Sequence, residues 1–188
     1  MVFFHGGWGK ISAAASTQFA IDTWKPELII NLGTCGGFKG HVKKNTIILV
    51  NKAIVYDIYE QMTNNQIAIK NYSTNIDLKW LSGDLPLKVL KAPIVSGDRD
   101  LVPEEIPILQ EKYNAIVGDW ESGSISWVCQ KNNVKLLILR GVSDLVGPSE
   151  GEAYKGRKNL WYQAAEQILK KLIETLPDWI KNLDNKNT

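Results

Sequence analysis

Two nearly uninterrupted apolar runs, Leu28–Leu32 and Val134–Arg140, constrain this chain more than any other feature. A strand with one wet face alternates apolar and polar residues. A run without that alternation is covered on both faces, as in a sheet packed between helices. Shorter β-rich runs occupy Thr46–Ile54, Ala92–Val95 and Ala115–Val117, and Val2–Phe4 is a further strand candidate. Helical patterns fall between them. One runs from about Ser12, a possible N-cap, to Trp24 before Pro26, and others cover Pro103–Tyr113 and Ser122–Lys131. In the last helical pattern Leu160, Trp161, Ala164, Ala165, Ile168, Leu169, Leu172, Ile173 and Leu176 share one stripe, read as core-facing. Tyr56–Asp84 is polar and rich in asparagine, and reads as an irregular hairpin. Gly141–Arg157 reads as a long polar loop. Strands alternating with helices predict an α/β fold of three layers, a mostly parallel or mixed twisted sheet flanked by helices.

With 188 residues, 44% of them hydrophobic, the chain can bury a substantial core, and no linker or repeat divides it, so 1–188 reads as a single domain. The net charge is +2, and the basic clusters Lys43-Lys44 and Lys170-Lys171 are short solvated faces. Electrostatics therefore do not argue for nucleic acid or membrane partners, and neither is expected. No run spans a bilayer, and Met1–His5 lacks the charged start of a signal peptide. The two cysteines, Cys35 and Cys129, form no framework, which suits a reduced cytoplasmic setting.

In sheets of this kind ligands sit outside the carboxyl ends of the strands. Four segments follow strands: Gly33–Gly37, Ser96–Asp98, Trp120-Glu121 and Gly141–Asp144. All are small or acidic. Glu121, where a strand becomes a helix, could simply satisfy the helix N-terminus, and Asp144 could simply start a turn. Together, at the ends of two successive strands, they mark a pocket for a small molecule. Other motifs carry less. Gly7-Trp8-Gly9-Lys10 fails the P-loop pattern, since Phe4 stands where glycine is required. Gly147-Pro148-Ser149-Glu150-Gly151 matches the hydrolase elbow literally, but the strand before it ends too early and no histidine follows. His5 and His41 read as loop residues. No His/Cys/carboxylate group has metal spacing, and neither metal nor cofactor is expected.

GWGKISAAAST, IINLGTCGGF, VSGD, DWESGSISWV and LRGVSDL, taken in this order and spacing, resemble the nucleoside phosphorylase and nucleosidase superfamily. The resemblance is closest to methylthioadenosine/S-adenosylhomocysteine nucleosidases and covers the chain from about Phe4 to its last helix. It implies a phosphorylase-like fold and hydrolysis of the N-glycosidic bond of a purine nucleoside or thionucleoside. The alternatives are phosphate-dependent cleavage and a nucleoside-binding relative without turnover.

By the same resemblance Glu121 accepts the ribose hydroxyls and stays ionised, while Asp144, assisted by Ser143, protonates purine N7 as the base leaves. Such an acid needs a raised pKa, from burial or a neighbouring carboxylate. Thr34, Cys35 and Gly36 match the loop along the nucleoside, and Leu101 a position whose backbone meets the purine edge. Trp120 matches the residue packed on the sugar. Asp100 departs from the pattern, which often has a base-stacking aromatic there. Asn31 replaces the arginine that holds phosphate in hexameric phosphorylases, favouring water. Relatives open with a further strand region that supplies the water-activating carboxylate, and it lacks a counterpart here. Glu60 and His5 are candidate substitutes. The sheet edge this leaves suits a partner subunit, in a homodimer or higher homo-oligomer.

Overall fold

The computed structural model describes residues 1–81, 83–148 and 150–184. Six strands and five helices follow in the order α1 (Gly9–Trp24), β1 (Leu28–Phe38), β2 (Ile47–Val55), α2 (Asn65–Asn71), β3 (Ser73–Asn75), β4 (Val89–Ser96), α3 (Ile106–Tyr113), β5 (Val117–Asp119), α4 (Ser122–Lys131), β6 (Lys135–Val146) and α5 (Lys158–Asp184). A 3-10 turn, Pro103–Glu105, leads into α3.

The sheet order is β3-β2-β4-β5-β1-β6, and β2 also pairs with β6, so five strands close into a ring. Pairings β1–β6, β2–β4 and β4–β5 are parallel; β1–β5, β2–β3 and β2–β6 are antiparallel. On the side of β1 away from β6, β5 reaches only Gly36 and Gly37. Among the described residues no strand pairs with Leu28–Cys35 on that edge.

The apolar runs behave as strands covered on both sides. In β6, Leu136 and Ile138 join the core beneath α1 and α4, while Leu137 and Leu139 face α5. All four are buried, and burying each such side chain contributes about 1.5–3 kcal/mol. On α5 the buried stripe is Ala165, Ile168, Leu172, Leu176 and Trp179; Leu160 and Ile173, expected in the core, are exposed. The core cluster that faces β6 takes Ile168, Leu172 and Trp179 from α5 and nothing from its first turns.

Several boundaries differ from expectation. β1 does not stop at Gly33 but continues to Phe38, and β6 continues through Gly141–Val146, because each supplies the other's hydrogen bonds along the whole length. Glycine and serine are weak strand formers, and the ladder overrides that preference. Val2–Phe4 forms no strand and is exposed. The polar stretch after Tyr56 contains α2, capped by the Asn64 side chain on the Gln66 amide, and β3 instead of a hairpin. Helix α1 starts at Gly9, three residues before Ser12, with no side-chain cap from its own N-cap residue.

Candidate active site

Strand register places the two acids. Gly36 pairs with Gly118 of β5 on one side and with Asp144 of β6 on the other. Two strand spacings, about 10 Å, therefore separate Asp144 from Gly118, and Glu121 follows β5 directly. Between them Leu101 packs down on the two glycines. A methyl group at Gly118 would lie 2.7 Å from Leu101 Cδ2, and one at Gly36 3.2 Å from Cδ1. Glycine at these positions admits the leucine.

A bulge aims Asp144. Cys35 pairs with Val142 and Gly36 with Asp144, so Ser143 is an extra residue in β6. The Ser143 hydroxyl donates to Asp144 Oδ1 at 2.7 Å and lies 3.2 Å from the Cys35 carbonyl. It holds one carboxyl oxygen and leaves Oδ2 for a ligand. Asp144 is only 7% exposed. Burial raises its pKa, Glu152 and Asp100 add to the rise, and Ser143 and Lys44 oppose it. A carboxyl that keeps its proton closer to neutrality is suited to giving that proton away.

Glu121 has a different environment. Its Oε1 accepts the Gly9 amide at 3.1 Å, and Asp98 Oδ1 accepts the Lys10 amide at 2.7 Å. The two acids thus cap α1, whose own sequence provides no cap, and the positive end of that helix is docked on the site. The helix that Glu121 precedes is capped by Asp119 instead, which accepts the Ser122 amide and the Ser96 and Ser122 hydroxyls. Arg140, 4% exposed, lies between the two carboxylates. Its Nη2 is 2.9 Å from Asp119 Oδ2 and 3.7 Å from Glu121 Oε2, and its Nε donates to Ser122 Oγ. The Nη2 contact is an ion pair not aligned as a hydrogen bond, so this nitrogen keeps donor capacity toward the site. Gly33 makes room for it, since a methyl group there would come within 1.8 Å of Nη1.

The Glu121 pKa is also raised, by burial first and then by Asp119. Arg140 and the Gly9 amide hold it down. The carboxylates acting on Asp144 are Glu152 and Asp100, and those acting on Glu121 are Asp119 and Asp98. Trp120 tilts against Trp8, ring centres 5.9 Å apart, beside this carboxylate. Lys10 pairs with Asp57 at 2.6 Å, pinning the start of α1 to the end of β2.

The fold brings Thr34, Cys35, Gly36, Leu101, Trp120, Glu121, Ser143 and Asp144 to the carboxyl ends of β1, β5 and β6 and the segment after β4. Cys35 is buried, and its thiol is pushed well up by burial, so it is a neutral packing group. The candidate bases lie elsewhere. Glu60 accepts the Thr63 amide and hydroxyl ahead of α2, and exposed His5 accepts the Gly7 amide. Ser149 of the elbow pattern lies outside the described residues. Two of the described cavities are lined by neither acid. One of about 390 Å³ lies at Lys39, Ile106 and Val146, and one of about 450 Å³ at Tyr56, Asp57 and Arg99. Arg140, Asp119 and Asp98 join the site without a local signal beyond their places at strand ends.

The family model of the phosphorylase superfamily matches residues 1–176. A 5'-methylthioadenosine/S-adenosylhomocysteine nucleosidase of Buchnera aphidicola is 31% identical over 185 residues, covering 92% of this chain and 79% of the relative. The fold is similar to that of the Arabidopsis thaliana 5'-methylthioadenosine nucleosidase in apo form, with TM-score 0.75 and 21% identity, covering 94% of this chain and 70% of that one. It is also similar to the Colwellia psychrerythraea nucleosidase in complex with adenine, with TM-score 0.70 and 19% identity, covering 95% and 76%.

Proposed function

This chain belongs to the phosphorylase superfamily, and from that premise we propose that it hydrolyses the N-glycosidic bond of a purine nucleoside of the methylthioadenosine or adenosylhomocysteine type, releasing the free base. The observation that carries the reading is the division of labour between two acids at strand ends two strand spacings apart, on either side of β1. Asp144 is buried under a raised pKa with one oxygen held by Ser143. Glu121 is tied to a cation and a helix N-terminus.

Cleaving the bond sends its electron pair onto the base and leaves oxocarbenium character on the ribose. Asp144 gives its proton to N7, so the base departs neutral. Glu121 accepts the ribose hydroxyls and faces the developing positive charge, with Arg140 fixing its orientation. Water then adds to the anomeric carbon and loses a proton. Asn31, mid-strand in β1, offers no cation for phosphate. The Trp8–Trp120 pair gives an apolar wall beside the ribose acceptor, which suits a 5'-thioalkyl group. Leu101 and the Thr34–Gly36 segment would line the base.

We place the protein in the cytoplasm as a homodimer or higher homo-oligomer. The outer face of α1 exposes Ile11 and Phe19, an apolar surface for a second copy. Light scattering that gives a monomer would refute the assembly. The activity is tested by incubating the protein with methylthioadenosine or adenosylhomocysteine in phosphate-free buffer. Adenine release supports hydrolysis. Release only with phosphate, or tight binding with no turnover, overturns it.

A further inference from the structure

One polar side chain over the site is left unaccounted for. Tyr154 lies on the segment after β6, and its hydroxyl donates to the Leu101 carbonyl at 2.8 Å. The ring rests on Gly151, where a methyl group would stand 2.6 Å from it. This stretch is held against the end of β6. Gly151 bridges to Val146, the Glu152 amide donates to the Leu145 carbonyl at 2.9 Å, and Glu152 Oε2 accepts the Leu145 amide at 3.2 Å. Arg157 closes it from the other side, donating to Glu150 and to the carbonyls of Gly151 and Tyr154.

The position of this bond matters. Leu101 covers Gly36 and Gly118, the glycines between the two acids. Burial first, then the Asp100 and Asp144 carboxyls, raise the pKa of the phenol, which donates to the Leu101 carbonyl. The hydroxyl is therefore a fixed donor on a main-chain acceptor beside the proposed general acid.

We propose that Tyr154 is an internal competitor of the base and so a specificity-determining residue. Its hydroxyl occupies the Leu101 carbonyl in the free protein, and a base with an exocyclic amino group takes that acceptor over. The proposal rests on the nucleosidase reading, in which the Leu101 backbone meets the purine edge. A base with an amino donor restores the bond that Tyr154 gives up. A base without one leaves Tyr154 where it is and gains nothing from the carbonyl. A peptide oxygen has two lone pairs, so the exchange requires that its surroundings exclude a second donor. Leu101 is 7% exposed, with its side chain packed over Gly36 and Gly118, and in the proposed exchange its carbonyl admits one donor at a time.

Tyr154→Phe keeps the ring on Gly151 and removes only the hydroxyl. Calorimetry would compare adenine with unsubstituted purine on the natural protein and the variant. Adenine should bind about 2- to 12-fold tighter to the variant, the range of one net hydrogen bond, and purine should be unchanged. In the natural protein adenine should also produce a tyrosine ultraviolet difference spectrum that the variant lacks, an independent sign that the phenol changes partner. Unchanged or weaker adenine binding by the variant would overturn the proposal. Equal tightening for both bases would do so too, since a loosened segment gives that result without any exchange of partners. If the natural protein cleaves methylthioadenosine while the variant shows no such change, Tyr154 alone is refuted. If the natural protein binds neither adenine nor methylthioadenosine, the nucleosidase reading fails and the proposal falls with it.

Discussion

Replacing Arg140 with methionine keeps most of the side-chain length and removes the cation held between Asp119 and Glu121. The side chains of Arg140 and Asp119 are 5% and 3% exposed, so solvent cannot take over the role of either partner. Breaking a buried pair from one side costs about 3–5 kcal/mol, because a charge is left without compensation. Asp119 retains the Ser122 amide and the hydroxyls of Ser96 and Ser122, which puts Arg140→Met toward the lower end of that range. Even so, about 3 kcal/mol is a large share of the 5–15 kcal/mol that stabilises a typical domain. Adding Asp119→Asn removes the stranded charge, so the double variant should be less destabilised than the two single changes summed, by about 0.5–3 kcal/mol. Urea unfolding followed by tryptophan fluorescence reads both numbers from the midpoints, provided the slope is unchanged. A cost below about 1 kcal/mol for Arg140→Met would class the contact with exposed ion pairs. Additivity within about 0.5 kcal/mol would mean that the two residues do not share a network. Either result refutes this account of the site.

Asp144→Asn should lower kcat about 10²–10⁴-fold while adenine affinity changes little, because the amide fills the same space without a proton to give. In the natural protein the protonated form is the active one, so kcat should fall as pH rises through the raised Asp144 pKa; a rate that rises there would remove Asp144 as the acid. Burial also raises the Glu121 pKa, so the stability linked to this group is full below the unfolded glutamate value of about 4.3 and is lost as pH rises through the folded value. Glu121→Gln abolishes that loss. Its urea midpoint should approach the natural one in acid and exceed it increasingly at higher pH, and a gap of the opposite sign would contradict the shift. Gly118→Ala places a methyl group 2.7 Å from Leu101 Cδ2 and should cost about 1–3 kcal/mol in unfolding experiments; a neutral result would show that Leu101 is free to move.

Local pattern carried much of this protein. The runs Leu28–Leu32 and Leu136–Leu139 announce strands covered on both faces, because burial on both sides removes the polar alternation that a wet face imposes. Small and acidic residues after those strands mark the site, since a parallel ladder delivers its carboxyl ends to one edge. Glu121 and Asp144 are legible on that ground, and the ordered motifs name the family to which they point. The helical stripe on α5 was read correctly at Ala165, Ile168, Leu172 and Leu176 and extended too far at Leu160 and Ile173, because periodicity marks a face but not how much of it has a neighbour.

The tertiary structure alone decided what surrounds the acids. Glu121 is satisfied by the Gly9 amide, 112 residues away, and not by the helix it precedes, a task that falls to Asp119. Arg140 ends an apolar run in the sequence, yet in the fold it enters the acid cluster through the space left by Gly33 on the paired strand. Tyr154 meets Leu101 across 53 positions. Such contacts depend on strand order and on the bulge at Ser143, which set which strand ends become neighbours. Hydrophobic spacing records which way each side chain faces along its own element, so it could nominate the two carboxyls. Only packing one element against another determined which carboxyl is held by a serine hydroxyl and which by a cation.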